Sequence, residues 1–236
     1  MFGRSESTPH YLREYRAMLH HLRRKYGDED TAREKTVGVN YERQGRKQAD
    51  MVHEYAPEGP FTLLDIGCGS GRASTALRDV ERLTYTGVDI LPELLEYAEK
   101  KAGRPDWKFI AIEDIALPVD DASADMVLVM SVFTHLKTAE IRQYIDEIFR
   151  VAKPGAVVFC SYLDRDFPPV VKAFRPKPLQ LLLRALGRDV MLSFTSRNEL
   201  SGFLESAGFV VQDVRDVETT GQHVMVARKP ANVNAR

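Results

Sequence analysis

The sequence predicts a doubly wound α/β domain, built on a mostly parallel seven-stranded sheet that ends in an antiparallel pair at its C-terminal edge. Three observations carry that expectation. From residue 61 onward, short and almost continuously apolar runs alternate with segments of helical periodicity, as parallel strands covered on both faces do. The last two apolar runs are joined by a polar link too short for a parallel crossover, so they should pair antiparallel. A glycine-rich turn, "LLDIGCGSGR" at 63–72, follows the first run, at the strand end where α/β sheets bind ligands.

The elements follow in order. Residues 9–26 place Tyr11, Tyr15, Met18, Leu19, Leu22 and Tyr26 at helical spacing, with Arg13, Arg16, Arg23 and Arg24 on other faces. Strands are expected at 61–66, 83–90, 107–112, 125–132 and 156–163. Between them, "PELLEYAEKKAG" opens on Pro92, suited to a first helical turn, and closes on Gly103, suited to a C-cap. "TAEIRQYIDEIFRVAKPG" has Thr138 as its expected N-cap, gathers Ile141, Tyr144, Ile145, Ile148, Phe149 and Ala152 on one face, and stops at Pro154-Gly155. Ser196 and Glu199 form a capping-box pattern opening a helix that Gly208 closes, and "FVVQDV" and "HVMVARK" form the final pair.

Two segments lie outside this core. Residues 1–45 read as an N-terminal helical lid or extension to a main domain of 46–236, and residues 164–193 as a substrate-side insertion, a proline-containing loop followed by a leucine-rich helix. The apolar stripes from Tyr11 to Tyr26 and from Leu179 to Leu186 need something to cover, and the faces of the sheet already have helices. Both segments are therefore expected to flank the carboxyl ends of the strands. The rival for the leucine-rich stretch is a contact in a homodimer.

Composition narrows the partners. With 33 Lys and Arg against 34 Asp and Glu, the net charge is −1, so no basic field recruits nucleic acid or an anionic membrane. No apolar run approaches the ~20 residues of a membrane span, and "MFGRSESTPHYLREYR" lacks the apolar region of a signal peptide. Cys68 and Cys160 are expected on strands two positions apart, about 10 Å from each other and beyond disulfide reach. Reduced cysteines fit a cytoplasmic protein. No metal-ligand pattern stands out.

Strand, glycine turn and helix together make a nucleotide-site arrangement, because backbone N–H groups there favour an anion or polar ligand. The dinucleotide pattern G-x-G-x-x-G/A requires a small residue where helix meets strand. Arg72 occupies that position, which argues against a nicotinamide-dependent reductase; the spacing is G-x-G-x-G. Asp89, at the end of the second strand, can accept from both hydroxyls of a ribose. In "IEDIALP", after the third strand, Asp114 can accept from an adenine amino group while the N–H of Ile115 donates to the ring. The alternative for Asp114 is a simple turn cap, with Glu113 as the rival acid.

With these motifs in order, the sequence resembles the class I S-adenosylmethionine-dependent methyltransferases over roughly 45–229. "LLDIGCGSGR" is similar to the family's first motif, "YTGVDI" to its ribose-binding acid and "EDIALP" to its adenine-binding turn, while "ADMVLVMSVFTHL" and "RVAKPGAVVFCSYL" are similar to its fourth and fifth strands. The resemblance implies a Rossmann-like methyltransferase fold and S-adenosylmethionine as cofactor. It further implies that Asp65 and the backbone of Gly67, Cys68, Gly69 and Gly71 hold the methionine part. Asp89 would hold the ribose, Ile90 pack on adenine, Asp114 and Ile115 read its edge, and Met130 or Ser131 close the site. Tyr41, Glu42 and Arg46 form a candidate lid near the methionine carboxylate, with an ordinary exposed loop as the alternative.

Methyl transfer from a sulfonium needs positioning and desolvation more than it needs acid or base groups. His135 in "SVFTHL" is the candidate general base; the alternative is that it orders its loop. The turn after strand four reads Met130-Ser131-Val132-Phe133, without the Asp/Asn-Pro-Pro-aromatic pattern of base-amino methyltransferases, and no Pro-Cys pair offers the thiolate used on pyrimidine carbon. The expected acceptor is a small molecule or a glycan or lipid precursor. The alternatives are a catalytically inactive cofactor-binding partner subunit, or a methyltransferase acting on nucleic acid or protein.

Overall fold

A computed structural model of the chain describes residues 9–38, 40–174, 192–217 and 222–231. Its helices are α1 (His10–Tyr26), α2 (Glu29–Thr36), α3 (Tyr41–Tyr55), α4 (Arg72–Leu77), α5 (Pro92–Ala102), α6 (Thr138–Val151), α7 (Pro168–Ala173) and α8 (Arg197–Ala207). Its strands are β1 (Phe61–Ile66), β2 (Leu83–Asp89), β3 (Lys108–Ala111), β4 (Ala124–Val129), β5 (Ala152–Tyr162), β6 (Val210–Val217) and β7 (Gln222–Arg228).

The strands form one sheet in the order β3-β2-β1-β4-β5-β7-β6. β1 to β5 pair in parallel, while β7 runs antiparallel to both of its neighbours, β5 and β6. Side chains alternate between the two faces along each strand, and both faces are covered. Leu64, Ile66, Val127 and Val129 pack with Ile141, Ile145 and Ile148 of α6 and Leu200 and Leu204 of α8. Leu63, Tyr85, Met126 and Leu128 pack on the opposite face with Val52 of α3 and Leu77 of α4. That two-sided burial is why the central strands read as continuous apolar runs.

Several boundaries differ from the sequence expectation. β4 ends at Val129 rather than at residue 132, so Met130, Ser131 and Val132 lie beyond the strand. Thr138 is the first residue of α6 rather than its cap: Lys137 takes the extended cap conformation, and its N–H donates to Glu140 at 2.6 Å. β5 begins at Ala152, ahead of Pro154-Gly155, because a register shift between Ala124 and Met126 of β4 absorbs the irregular residues. The expected break at residue 45 falls inside α3. Cys68 follows β1 and Cys160 lies in β5 with β4 between them, and both are free and buried.

Of the 164–193 segment, residues 175–191 lie outside the described residues, and the Leu179–Leu186 stretch with them. Its described end returns to the sheet's carboxyl edge, where the N–H of Ser193 donates to the Thr134 carbonyl at 2.7 Å. Among the described residues no helix is long and apolar enough to cross a membrane.

Candidate functional site

β1 ends at Ile66 and the chain turns through Gly67, Gly69 and Gly71 with φ of 69°, 56° and 81°, a region that side chains other than glycine rarely adopt. The turn is also crowded. A Cβ on Gly69 would lie 2.3 Å from Val37 Cγ1, and one on Gly67 would lie 2.4 Å from Val132 Cγ2. The loop is tied to the next strand by Asp89, whose Oδ2 accepts from Gly69 N–H at 2.8 Å and whose Oδ1 accepts from Leu91 N–H at 2.9 Å. Burial pushes the Asp89 carboxyl up to about 6, opposed by the N–H groups of Leu91, Gly69 and Ile90. From outside, the Tyr41 hydroxyl donates to the Ser70 carbonyl at 2.6 Å, so α3 braces the turn.

Above this turn lies a cleft that opens to solvent at the carboxyl ends of the strands, the kind of concave position that small-ligand sites favour. Gly67 and Gly69 form its floor, with Asp89, Ile90, Leu94, Ile112 and Tyr144 on the side of β2 and β3. Met130, Ser131, Val132, His135 and Leu136 line it beyond β4, and Tyr11, Tyr15 and Val37 reach it from the N-terminal helices. Arg72, the first residue of α4, completes the lining.

The segment beyond β4 is held under local strain. Ser131 sits at φ 64°, a conformation that costs a non-glycine residue on the order of 1–3 kcal/mol. Its N–H donates to Ser161 Oγ at 2.6 Å and its hydroxyl donates to Gln222 Oε1 at 3.1 Å, with Ser161 also donating to Gln222 at 2.8 Å. This bracing turns the next residues into a 3₁₀ turn, Phe133–His135. The His135 ring stands edge-on to Tyr15 with centroids 5.3 Å apart, and its carbonyl accepts from His10 Nε2 at 3.3 Å. The loop after β4 and α1 thus hold each other.

Among the residues expected from the sequence, Gly67, Gly69, Asp89, Ile90, Met130, Ser131 and His135 meet in the cleft. The others do not line it. Asp65 is buried beneath the turn and accepts from the Tyr85 hydroxyl at 2.7 Å; burial pushes its carboxyl up to about 7. Cys68 faces inward, and burial raises its thiol well above the usual value. Gly71 packs against Ala98, whose Cβ would be 2.8 Å from a Cβ there.

Asp114 caps its own turn, accepting from Ala116 N–H at 2.9 Å. With Ile115 it lines a neighbouring recess that shares Tyr11 with the cleft. Arg46 is exposed, pairs with Glu42 at 3.5 Å and lies in a third recess on α3. An i,i+4 pair of that kind satisfies the arginine on its own helix.

Sequence reasoning missed Val37, Arg72, Leu94, Ile112, Leu136 and Tyr144 as cleft residues, and it placed Tyr11 and Tyr15 only within the apolar stripe of the N-terminal lid. For the two tyrosines the apolar stripe signals burial without naming what is covered. For Arg72 a signal existed, since a cation directly after the glycine turn is placed beside any ligand lying on it.

The sheet order reverses direction between β1 and β4, and the cleft lies at that switch point, over the carboxyl ends of the strands. The molecule is therefore a doubly wound α/β protein with a cleft in the position where such folds bind ligands. Residues 64–160 match the family described as "Methyltransferase domain". The chain is 28% identical over 136 residues to norajmaline N-methyltransferase of Rauvolfia serpentina, covering 56% of this chain and 46% of that protein. It is 27% identical over 169 residues to a ubiquinone biosynthesis O-methyltransferase of Xylella fastidiosa, covering 70% and 67%. The matched region thus spans about half of the first relative's length.

A crystal structure of a SAM-dependent methyltransferase from Methanosarcina mazei superposes with a TM-score of 0.63 at 24% identity, covering 77% of this chain and 98% of that one. Residues 64–160 thus match a methyltransferase domain, and the fold around them is that of the class I S-adenosylmethionine-dependent methyltransferases, a family whose members use S-adenosylmethionine as methyl donor.

Proposed function

We propose that the protein transfers a methyl group from S-adenosylmethionine to a small-molecule acceptor. The observation that carries this reading is the convergence, in one cleft, of the Gly67 and Gly69 backbone, the Asp89 carboxylate at the end of β2 and the apolar side chains of Ile90, Leu94 and Ile112. These residues fit the cofactor: a floor on which an added Cβ would collide, a charged acceptor for hydroxyls, and an apolar slot for a flat ring.

When bound, S-adenosylmethionine supplies a methyl group already activated on a sulfonium. The chain's residues have the remaining tasks. Asp89 exchanges part of its backbone hydrogen bonding for ribose hydroxyls. Ile90 and Ile112 pack against adenine, with Tyr11 as the wall shared with the Asp114–Ile115 turn at the rim. Tyr15 and Val37, delivered by α1 and the end of α2, cover the glycine turn and exclude water, so the N-terminal helices act as the lid. His135 faces the cleft from beyond β4 and takes the proton of an acceptor hydroxyl as methyl transfer proceeds.

The names of the two relatives, one acting on norajmaline and one in ubiquinone biosynthesis, support a small-molecule acceptor. So does the balance of 33 basic against 34 acidic residues, which offers no field for nucleic acid. The test has two stages. Calorimetric titration should show binding of S-adenosylmethionine and S-adenosylhomocysteine and none of NAD. Incubation with methyl-labelled cofactor and a panel of hydroxyl- and amine-bearing small molecules should then move label to one class. Binding of NAD alone would reverse the reading, and cofactor binding without transfer to any acceptor would make the chain a non-catalytic binding subunit.

A further inference from the structure

Three polar side chains from three different strands meet beside the cleft. The hydroxyl of Ser131, just beyond β4, donates to Gln222 Oε1 at 3.1 Å, and the hydroxyl of Ser161, near the end of β5, donates to the same oxygen at 2.8 Å. Ser161 Oγ in turn accepts from Ser131 N–H at 2.6 Å. Gln222 opens β7, which pairs antiparallel with β5 so that Ser161 lies opposite Val224. Residues two apart on a strand share a face, which brings Gln222 to the side of the sheet where Ser161 points.

The residue types are informative. Ser161 is fully buried, in the mostly apolar run "AVVFCSYL", and a buried hydroxyl costs stability unless it is bonded. Ser131 holds φ of 64°, a conformation that glycine takes freely and a residue with a Cβ resists. What serine supplies there and glycine cannot is a hydroxyl, and that hydroxyl is given to Gln222. One amide oxygen, with both lone pairs in use, therefore anchors the strained turn.

The turn also has an output. The Ser131 carbonyl accepts from the Thr134 hydroxyl at 3.1 Å, and the Val132 carbonyl accepts from His135 N–H at 2.9 Å. The backbone direction set at Ser131 is thus passed on to His135 within four residues. Val132 and His135 both line the cleft, and Gln222 reaches it through one hydrogen bond to Ser131. The far end of the loop is held separately, by the Ser193 hydroxyl donating to the Leu136 carbonyl at 2.5 Å.

We propose that Gln222 is a positioning residue for methyl transfer, holding through the Ser131 and Ser161 hydroxyls the strained turn that sets Val132 and His135 in the cleft wall. It acts through the turn and not on a reactant. The inference rests on the methyl-transfer reading above. Misplacing a reacting group by about 1 Å can lower a rate on the order of 100-fold, so relaxation of the turn should show in the rate before it shows in binding.

The experiment uses the full-length protein and two variants: Gln222→Met, which keeps side-chain length and removes the shared acceptor, and Gln222→Glu, which keeps an acceptor. Each is also made in a Ser131→Gly background, where φ of 64° carries no strain. Calorimetry gives affinity for S-adenosylhomocysteine. Single-turnover transfer is followed from methyl-labelled S-adenosylmethionine to the hydroxyl or amine compound that the panel above identifies. The carbon chemical shifts of Ser131 report its backbone conformation with no acceptor present.

Gln222→Met should lower the single-turnover rate roughly 10- to 100-fold, change affinity for S-adenosylhomocysteine by less than about 3-fold and move the Ser131 shifts. Gln222→Glu should recover most of the rate and keep the shifts. In the Ser131→Gly background Gln222→Met should cost far less, because the turn no longer needs its anchor. Should Gln222→Met fail to fold, Ser131→Ala carries the test: it keeps the strain without the hydroxyl and should lose more rate than Ser131→Gly.

Unmoved Ser131 shifts in Gln222→Met, equal rate losses in both backgrounds, or parallel losses of rate, affinity and stability would overturn the positioning role while leaving the methyl-transfer reading intact. A parent that binds S-adenosylhomocysteine yet labels no member of the panel would remove the methyl-transfer reading, and this inference with it.

Discussion

The backbone N–H of Gly69 donates to Asp89 Oδ2 at 2.8 Å, so one carboxylate both closes the glycine turn onto β2 and faces the cleft. The turn and the acid are 20 residues apart in the chain and form a single device. Replacing Asp89 therefore does two things at once. Asp89→Ala is expected to weaken binding of S-adenosylmethionine by about 1.5–3 kcal/mol, the cost of losing a charged acceptor, and to lower thermal stability by freeing the turn. Asp89→Asn should keep part of the bracing. Calorimetry alongside thermal denaturation of both variants checks this, and unchanged affinity in a folded Asp89→Ala protein would remove Asp89 from the site.

A pH dependence follows from the same carboxyl. Burial raises it from 3.8 to about 6, so ionising it disfavours the folded state without ligand. Its contribution to stability is complete below about pH 4 and is lost as the pH rises through about 6. Ribose hydroxyls donate to the ionised form, so cofactor affinity should run the other way, increasing from about pH 5 to 7 with release of a proton on binding below pH 6. Titrations in buffers of different ionisation enthalpy measure that proton directly, and affinity that is flat across the window would contradict the assignment.

Gly69 is constrained twice, by φ of 56° and by Val37 Cγ1 at 2.3 Å from where a Cβ would sit. Gly69→Ala is expected to cost about 1–3 kcal/mol of stability from backbone strain, with a further loss from the clash. Adding Val37→Ala should relieve the clash and leave the strain, so the double variant should be more stable than the sum of the single changes predicts. Chemical denaturation of the three proteins tests it; strict additivity would mean that Val37 does not press on the turn.

His135 carries a packing role and a proposed chemical one. Its ring meets Tyr15 at 5.3 Å, and its carbonyl, which no substitution removes, receives His10. His135→Phe keeps an aromatic ring against Tyr15 and eliminates the proton acceptor. For a hydroxyl acceptor that change should lower single-turnover rate by about 10²–10⁴ with cofactor affinity almost unaltered. If His135→Phe turns over like the parent while His135→Ala loses stability and affinity together, the residue serves packing alone.

Much of the fold was legible in the chain itself. Continuous apolar strands such as "DMVLVMSV" announced burial on both faces, Gly103 and Gly208 marked helix ends, and the short link before β7 required the antiparallel pair. These signals are local: each depends on periodicity or on the backbone conformation of a few neighbouring residues. The floor of the cleft was legible for the same reason, because a strand that ends in G-x-G-x-G can only be a turn with exposed backbone. Asp89 and His135 followed from lying at strand ends.

What the sequence by itself could not decide was which side chains converge. The tertiary structure put Arg72 in the cleft wall and left Arg46 exposed on α3, paired with Glu42. It brought Tyr11 and Tyr15 of α1 over strand ends more than fifty residues away. It also turned Asp114 toward its own backbone at Ala116. Each of those outcomes is a competition among long-range packing alternatives of similar local propensity, settled by the shape of the assembled core and not by any residue's neighbours in the chain.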